Sequence, residues 1–223
     1  MLLALDTATK KIGIALYDGV EILHEAVWQS PFHHTTELSP AILESLQRAR
    51  ISIEAVKAIG LTIGPGSYTG LRIGAAVAKG LAYARKLPLV GVSTFEVIAA
   101  AQPLVPEAQL AAVIEAGRGR LGVGWFQAGE ERWEVSKDPE LLTPDELSKR
   151  IRSLTVICGE LDAELRKLLG RKRKNALLAS PAGSLRRPAY LAELAWERWQ
   201  AGETDDPAEL APVYLQTGAN IPA

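Results

Sequence analysis

The sequence predicts an α/β protein built from two halves of the same element order, each with a mixed sheet. Two observations predict this fold class. In the first half, three strand-like runs come before alternating helical and strand-like segments, an order written βββαβαβα. The second half follows a degenerate form of that order without repeating the sequence itself. The proline-containing segment 102–106 divides an expected N-terminal subdomain, 1–102, from a C-terminal subdomain, 103–223.

The first half opens with three strands that are expected to pair antiparallel. The Asp18-Gly19 pair between the second and third strands is a hairpin signal. Helices follow where apolar residues recur at helical spacing, and Ser93 or Thr94 provides an N-cap for the last one. The expected strands are 1–5, 11–17, 20–27, 58–63 and 88–92, and the expected helices are 35–48, 69–86 and a segment beginning at 93 or 94.

The second half gives weaker signals of the same kind. Thr143 is suited to cap a helix that begins at Pro144. The expected strands are 109–115, 122–127, 132–135, 154–158 and 175–178, and the expected helices are 144–152, 161–169 and 188–200.

Composition excludes several classes of protein. The net charge is −1, so neither general nucleic-acid affinity nor membrane affinity is expected from charge. No apolar run approaches the ~20 residues that span a bilayer, and we expect a cytoplasmic protein that does not bind membranes. The single cysteine, Cys158, lies in a strand-like run and is expected to be a buried, inert thiol.

A glycine-rich segment from Gly64 to Gly74 joins the strand at 58–63 to the long helix. Such a turn directs backbone N–H groups towards one point at the positive end of a helix, which predicts an anion cradle. The segment nevertheless matches neither the Walker loop nor the dinucleotide fingerprint. Asp6, at the end of the first strand, either positions a phosphate or metal or caps its own turn. The candidate phosphate-loop residues are Asp6, Thr7, Thr9, Gly64, Gly66 and Ser67.

The helix at 69–86 is apolar or small around most of its circumference. A helix of this kind must be buried on more than one side, either by its own domain or by a partner helix. With the helix at 35–48 as its neighbour, it predicts a docking surface. The candidate partner contacts are Leu38, Ile42, Leu46, Gly70, Gly74 and Ala78.

Other chemistry receives little support. The three histidines, His24, His33 and His34, have no spacing typical of a helical metal-ligand pair, so no metal site is expected. Ser67 does not lie in the G-x-S-x-G elbow of a nucleophilic serine. A basic cluster suits either a solvated helix end or a contact with RNA phosphates. Its candidate RNA contacts are Arg171, Lys172, Arg173 and Lys174.

Taken together, five segments distributed over the whole chain resemble the bacterial TsaB family. They are LDTAT from Leu5, the region of His34 with Leu38 and Pro40, GPGSYTGLRIG from Gly64, GVST from Gly91 and PVYL from Pro212. The resemblance implies the actin-like, Hsp70-like (ribonuclease H-like) fold. It also implies a role in forming N6-threonylcarbamoyladenosine at position 37 of tRNAs that read codons beginning with A.

The resemblance further implies a heterodimer with the transferase TsaD and a larger complex with the ATPase TsaE. In TsaD, two histidines after the equivalent strand hold the active-site metal; Thr94 and Ile98 stand at those positions here. The resemblance thus implies a non-catalytic subunit that binds no cofactor alone, with ATP and a metal ion on partner subunits. Indirect or weak tRNA contact and a homodimer of the free chain are also expected. Two departures from the family pattern, at Glu115 and Gln216, put local contacts in doubt.

Three alternatives remain open at this level, of which a pure RNA-binding module rests only on the basic cluster. An active kinase or ATPase of the same fold would need phosphate loops and a metal-binding carboxylate in both halves, and this chain offers Asp6 and Glu115. A metallopeptidase-like enzyme would need the missing histidine pair.

Overall fold

The computed structural model describes residues 1–30, 33–172 and 174–215. Packing divides the chain into an N-terminal unit, Met1–Val97 with Arg187–Val213, and a second unit, Ile98–Arg186 with Tyr214–Ala223. This differs from the expected division into 1–102 and 103–223, because the chain returns to the N-terminal unit at Arg187. The returning segment contains the last helix, whose buried Leu191 joins the core of the first sheet.

The N-terminal unit is a five-stranded mixed sheet with helices on both faces. The strand order is β3-β2-β1-β4-β5, with β1, β2 and β3 antiparallel and β1, β4 and β5 parallel. The elements are β1 (Leu2–Asp6), β2 (Lys11–Tyr17), β3 (Ile22–Gln29), α1 (His34–Arg48), β4 (Ala58–Gly64), α2 (Tyr68–Arg85), β5 (Leu89–Ser93), α3 (Thr94–Ala100), which crosses the boundary, and α6 (Pro188–Gln200).

Strand β1 is the central strand of this sheet, and its burial reflects that position. All five of its residues are buried, as expected for a strand covered on both faces. Leu3 and Leu5 face a core that includes residues of α1 and α2, whereas Leu2 and Ala4 face a core that includes residues of α6. The carboxyl end of β1 therefore lies between two packed layers, beside the end of its parallel neighbour β4.

The second unit repeats the topology of the first. Its strand order, β10-β9-β6-β7-β8, is the same order read from the opposite edge, and its β6–β9 and β9–β10 pairs are parallel. The elements are β6 (Gln109–Glu115), β7 (Leu121–Ala128), β8 (Trp133–Leu142), α4 (Pro144–Arg150), β9 (Thr155–Gly159), α5 (Ala163–Leu169) and β10 (Ala176–Leu178).

The predicted α/β class and element order are confirmed, with differences at two strands. The third strand begins at Ile22, two residues later than expected, because the Asp18 carboxylate accepts the N–H groups of Val20 and Glu21 and holds them in the turn. Strand β8 extends to Leu142, beyond the expected 132–135. It is an edge strand whose middle residues are exposed, so its hydrophobic pattern is weak. No described helix is long and apolar enough to cross a bilayer.

Candidate functional site: the glycine-rich turn and its helix

The glycine-rich segment forms the strand–turn–helix that its sequence predicts. Strand β4 ends at Gly64, whose φ of 116° favours glycine, and a cis peptide bond joins Gly64 to Pro65. Ser67 is the N-cap of α2, and its Oγ accepts the N–H of Gly70 at 3.2 Å. One of the first free N–H groups of the helix is therefore already bonded within the turn.

The loop between β1 and β2 fills the space in front of this turn. The N–H of Ser67 donates to the carbonyl oxygen of Ala8 at 2.6 Å. A Cβ added at Gly66 would lie 2.0 Å from the same oxygen, and one added at Gly70 would lie 2.2 Å from the carbonyl oxygen of Thr7. These glycines therefore permit close approach of the chain's own backbone. Because carbonyl oxygens repel a phosphate, the predicted anion cradle is closed by the protein itself.

Asp6 is tied into the same loop. Its side chain is buried, and Oδ1 accepts the Ala8 N–H and the Thr62 hydroxyl, each at 3.0 Å. Thr7 and Thr9 are also buried, and Nε2 of His34 lies 3.0 Å from the Thr9 carbonyl oxygen. The structure thus brings the predicted phosphate-loop residues together, and the bonds of Asp6 favour its turn-capping role over the positioning of a phosphate or metal.

The residues predicted as partner contacts need correction. All six are buried inside the N-terminal unit, where α1 and α2 pack on the sheet and on each other. Gly74 illustrates the reason: a Cβ there would lie 2.2 Å from Oγ1 of Thr7, so its missing side chain accommodates the β1–β2 loop and not a partner. The buried residues are Leu38, Ile42, Leu46, Gly70, Gly74 and Ala78.

The opposite side of α2 is exposed and carries small, aromatic and basic residues. A Cβ added at Gly80 would meet no atom within 4 Å, and Tyr83 exposes 88% of its surface. Arg72 and the partly exposed Lys79 are the charged residues of this face, and the Arg72 guanidinium lies 4.0 Å from the centre of the Tyr68 ring. The outer face of α2 is defined by its exposed residues Tyr68, Thr69, Arg72, Ala76, Gly80, Tyr83 and Ala84.

Thr94 and Ile98, which the resemblance sets at the positions of metal histidines, are both buried. Thr94 and Ile98 are 0% and 2% exposed, so neither side chain lines an open site. Among the described residues, no group of three or more His, Cys, Asp or Glu side chains is close enough to hold a metal ion. Cys158 is buried in β9, and burial raises the pKa of its thiol well above the usual range. A thiol in this state is a poor nucleophile.

In the second unit the β6–β7 turn corresponds to the β1–β2 loop, and the β9–α5 turn corresponds to the glycine-rich turn. The carboxylate of Glu160 accepts the N–H of Glu115 at 2.9 Å, and Asp162 caps α5. A groove of about 520 Å³ beside them is lined by Arg118 and Arg120 as well as by these carboxylates. A phosphate approaching these turns would meet at least as many carboxylates as guanidinium groups.

The basic cluster separates into structural and exposed members. Arg166 donates to the carbonyl oxygens of Leu161 and Ala179, so its guanidinium is used inside the second unit. The predicted RNA contacts Arg171, Lys172 and Lys174 are exposed. Arg173 and Gln216 lie outside the described residues.

Comparison with known proteins gives one consistent result. A family model described as TsaD, tRNA N6-adenosine threonylcarbamoyltransferase, matches residues 29–154. The chain is 32% identical to the tRNA threonylcarbamoyladenosine biosynthesis protein TsaB of Escherichia coli over 69% of this chain and 67% of that protein. It is 29% identical to TsaB of Bacillus subtilis over 96% of this chain and 93% of that protein.

Structural comparison agrees. YeaZ from Pseudomonas aeruginosa superposes with a TM-score of 0.74 at 26% identity, over 95% of this chain and 99% of that one. Together with the two mixed sheets of equal strand order, this match confirms the predicted actin-like, ribonuclease H-like fold. From the matched length and the identity, the chain belongs to the TsaB family of tRNA threonylcarbamoyladenosine biosynthesis proteins.

Proposed function

We propose that this chain is a non-catalytic subunit in the formation of N6-threonylcarbamoyladenosine on tRNA and that it forms a heterodimer with a TsaD-type transferase. The observation that carries the proposal is the closed glycine-rich turn. The Thr7 and Ala8 carbonyl oxygens occupy the position in front of Gly66 and Gly70 where a nucleotide phosphate would have to bind. A subunit whose cradle is closed cannot hold a nucleotide phosphate there. This favours a structural role over ATP-dependent catalysis.

The donor set supports the same proposal. The resemblance implies that the metal-dependent transfer of TsaD uses an imidazole pair, and the buried hydroxyl of Thr94 and the buried side chain of Ile98 cannot replace that pair. We therefore expect ATP and the metal ion to be held by partner subunits, among them a TsaE-type ATPase. The present chain would act by stabilising the fold of the transferase near its active site.

The outer face of α2 is the proposed docking surface. Ala76, Gly80 and Ala84 have side chains small enough for another helix to approach closely, and Tyr83 supplies a large aromatic contact. Because TsaD matches the same family model as this chain, a related surface on either protein could pair with it, which also accounts for the expected homodimer of the free chain.

Reconstitution tests the proposed function. The complete set of TsaB-family, TsaD and TsaE proteins, supplied with threonylcarbamoyl-adenylate and tRNA, should form threonylcarbamoyladenosine at position 37. Omitting this chain should reduce the product strongly, and omitting TsaD should abolish it. Product formed by this chain in the absence of TsaD would refute the non-catalytic assignment.

A second proposal, weak contact with tRNA, rests on the exposed basic residues Arg171, Lys172 and Lys174. Each phosphate contact adds to the salt dependence of binding. Replacing the three residues with glutamate should weaken tRNA retention by the assembled complex at low salt and flatten its salt dependence. Unchanged retention would leave them as a solvated surface.

A further inference from the structure

A groove between β3 and α1 is separate from the turn and from the outer face of α2. It encloses about 650 Å³, and its wall on the strand side is formed by alternate residues of β3, namely His24, Ala26 and Trp28. Pro40 and Ala41 contribute apolar surface from α1. The strand residues are half-buried, because α1 packs closer to β2 than to β3 and leaves part of the sheet face uncovered.

The backbone beside this groove is available for pairing. Strand β3 lies at the edge of its sheet, next to β2 alone. Across the part of the chain that the structure describes, no residue forms a backbone hydrogen bond with the outward-facing groups of residues 22–28. An exposed strand edge of this length is a template for an added strand. By contrast, β5 at the other edge is partly covered, since Asp205 pairs with Leu89.

The charge on the groove is acidic and lies close to an indole. The indole N–H of Trp28 donates to Oε2 of Glu37 at 2.7 Å, and this bond lowers the pKa of that carboxyl, which is therefore ionised at neutral pH. The nearby imidazoles of His33 and His34 lower the same pKa further. Glu44 is paired with Arg48 at 2.6 Å, but both side chains are more than half exposed, so the pair is weak. The two carboxylates and one guanidinium give the rim a net charge of −1.

We propose that this groove binds a basic, extended segment of a partner protein, which adds as a strand along β3 and places an arginine or lysine side chain against Trp28 and Glu37. The backbone of the segment would satisfy the open edge of β3, as in other strand-addition complexes. The cationic side chain would gain both a charge-assisted hydrogen bond to Glu37 and contact with the indole ring. An acidic segment would instead meet the ionised Glu37 carboxylate, so charge determines the choice of partner.

The test uses the full chain and short fluorescent peptides. The probe is an eight-residue peptide of alternating threonine and valine with one central arginine, and two matched peptides carry glutamate or proline at that centre. Fluorescence anisotropy should show the arginine peptide binding about tenfold more tightly than either control peptide. Amide NMR shifts on its addition should be concentrated in β3.

Two variants sharpen this test. The substitution Glu37→Gln keeps an acceptor for the Trp28 indole but removes the charge, and it should weaken binding of the arginine peptide about tenfold. The substitution Glu131→Gln, at an exposed position in the second unit, is the matched control and should change nothing. Equal binding of arginine and glutamate peptides, or full binding by the Glu37→Gln variant, would overturn the proposal. Shifts in β3 that grow with protein concentration alone would also overturn it, since a second copy would then occupy the edge.

Discussion

Substitution by alanine should change the free energy of unfolding in opposite directions at Gly70 and Gly80, two glycines of α2 that lie ten residues apart. At Gly70 an added Cβ would lie 2.2 Å from the backbone oxygen of Thr7, closer than real Cβ contacts, and a backbone atom cannot rotate away. At Gly80 the same Cβ would meet no atom within 4 Å. The substitution Gly70→Ala must therefore displace the β1–β2 loop, whereas Gly80→Ala changes a solvent-exposed helical position.

The magnitudes follow from packing and helix propensity. Overpacking costs about 1–3 kcal/mol, and alanine recovers up to about 1 kcal/mol of helix propensity, so Gly70→Ala should lose roughly 1–2 kcal/mol of unfolding free energy. Gly80→Ala should gain about 0.5–1 kcal/mol. For a chain of this size the two variants should differ in Tm by roughly 5–10 °C in a thermal melt followed by circular dichroism. Equal melting temperatures would mean that the loop does not press on the turn and does not close the cradle.

Three further predictions address the chemistry. Isothermal calorimetry of the isolated chain with Mg-ATP should show neither tight binding nor turnover, because the turn is closed; saturable heat with hydrolysis would favour the kinase alternative. Cys158 should react with a thiol reagent in denaturant but not in the native chain, and rapid native labelling would contradict its burial. The pKa of Glu146 is lowered by hydrogen bonds from Thr143, so its stabilisation is complete above pH ~4.3 and is lost as the pH falls through the lowered pKa. Glu146→Gln should therefore lower the Tm at pH 7 more than at pH 3, and an equal loss at both would disprove this linkage.

The fold was largely predictable from local signals. The hairpin at Asp18-Gly19, the N-cap at Thr143 and the apolar run of β1 each specify an element without knowledge of its neighbours. The return of α6 to the first sheet was not predictable in this way. Its buried residues Leu191 and Ala195 show an apolar helix face, but the sheet that covers this face is a matter of tertiary packing.

The candidate site was predicted in part. The pattern of α2 shows two small-residue shoulders, one with Gly74 and Ala78 and one with Ala76 and Gly80, and the sequence alone does not say which faces the sheet. The predicted contacts were placed on the buried shoulder. The polar residue Thr69 lies within about 20° of Ala76 and Gly80 around the helix. It is the signal that could have identified their shoulder as the exposed one of the two. The closure of the turn by the Thr7 and Ala8 carbonyl groups depends on a contact between distant segments, for which the sequence carries no local pattern.

The central claim is that the outer face of α2 docks a TsaD-type partner, and Gly80 allows the most direct test. A leucine at this position has open space in the free chain, but it would project into any helix packed closely against the outer face. Calorimetric titration of TsaD with the Gly80→Leu variant should therefore show a Kd about tenfold or more above that of the unchanged chain, while the Tm of the free variant stays equal or rises. An unchanged Kd for a folded Gly80→Leu variant would contradict the account.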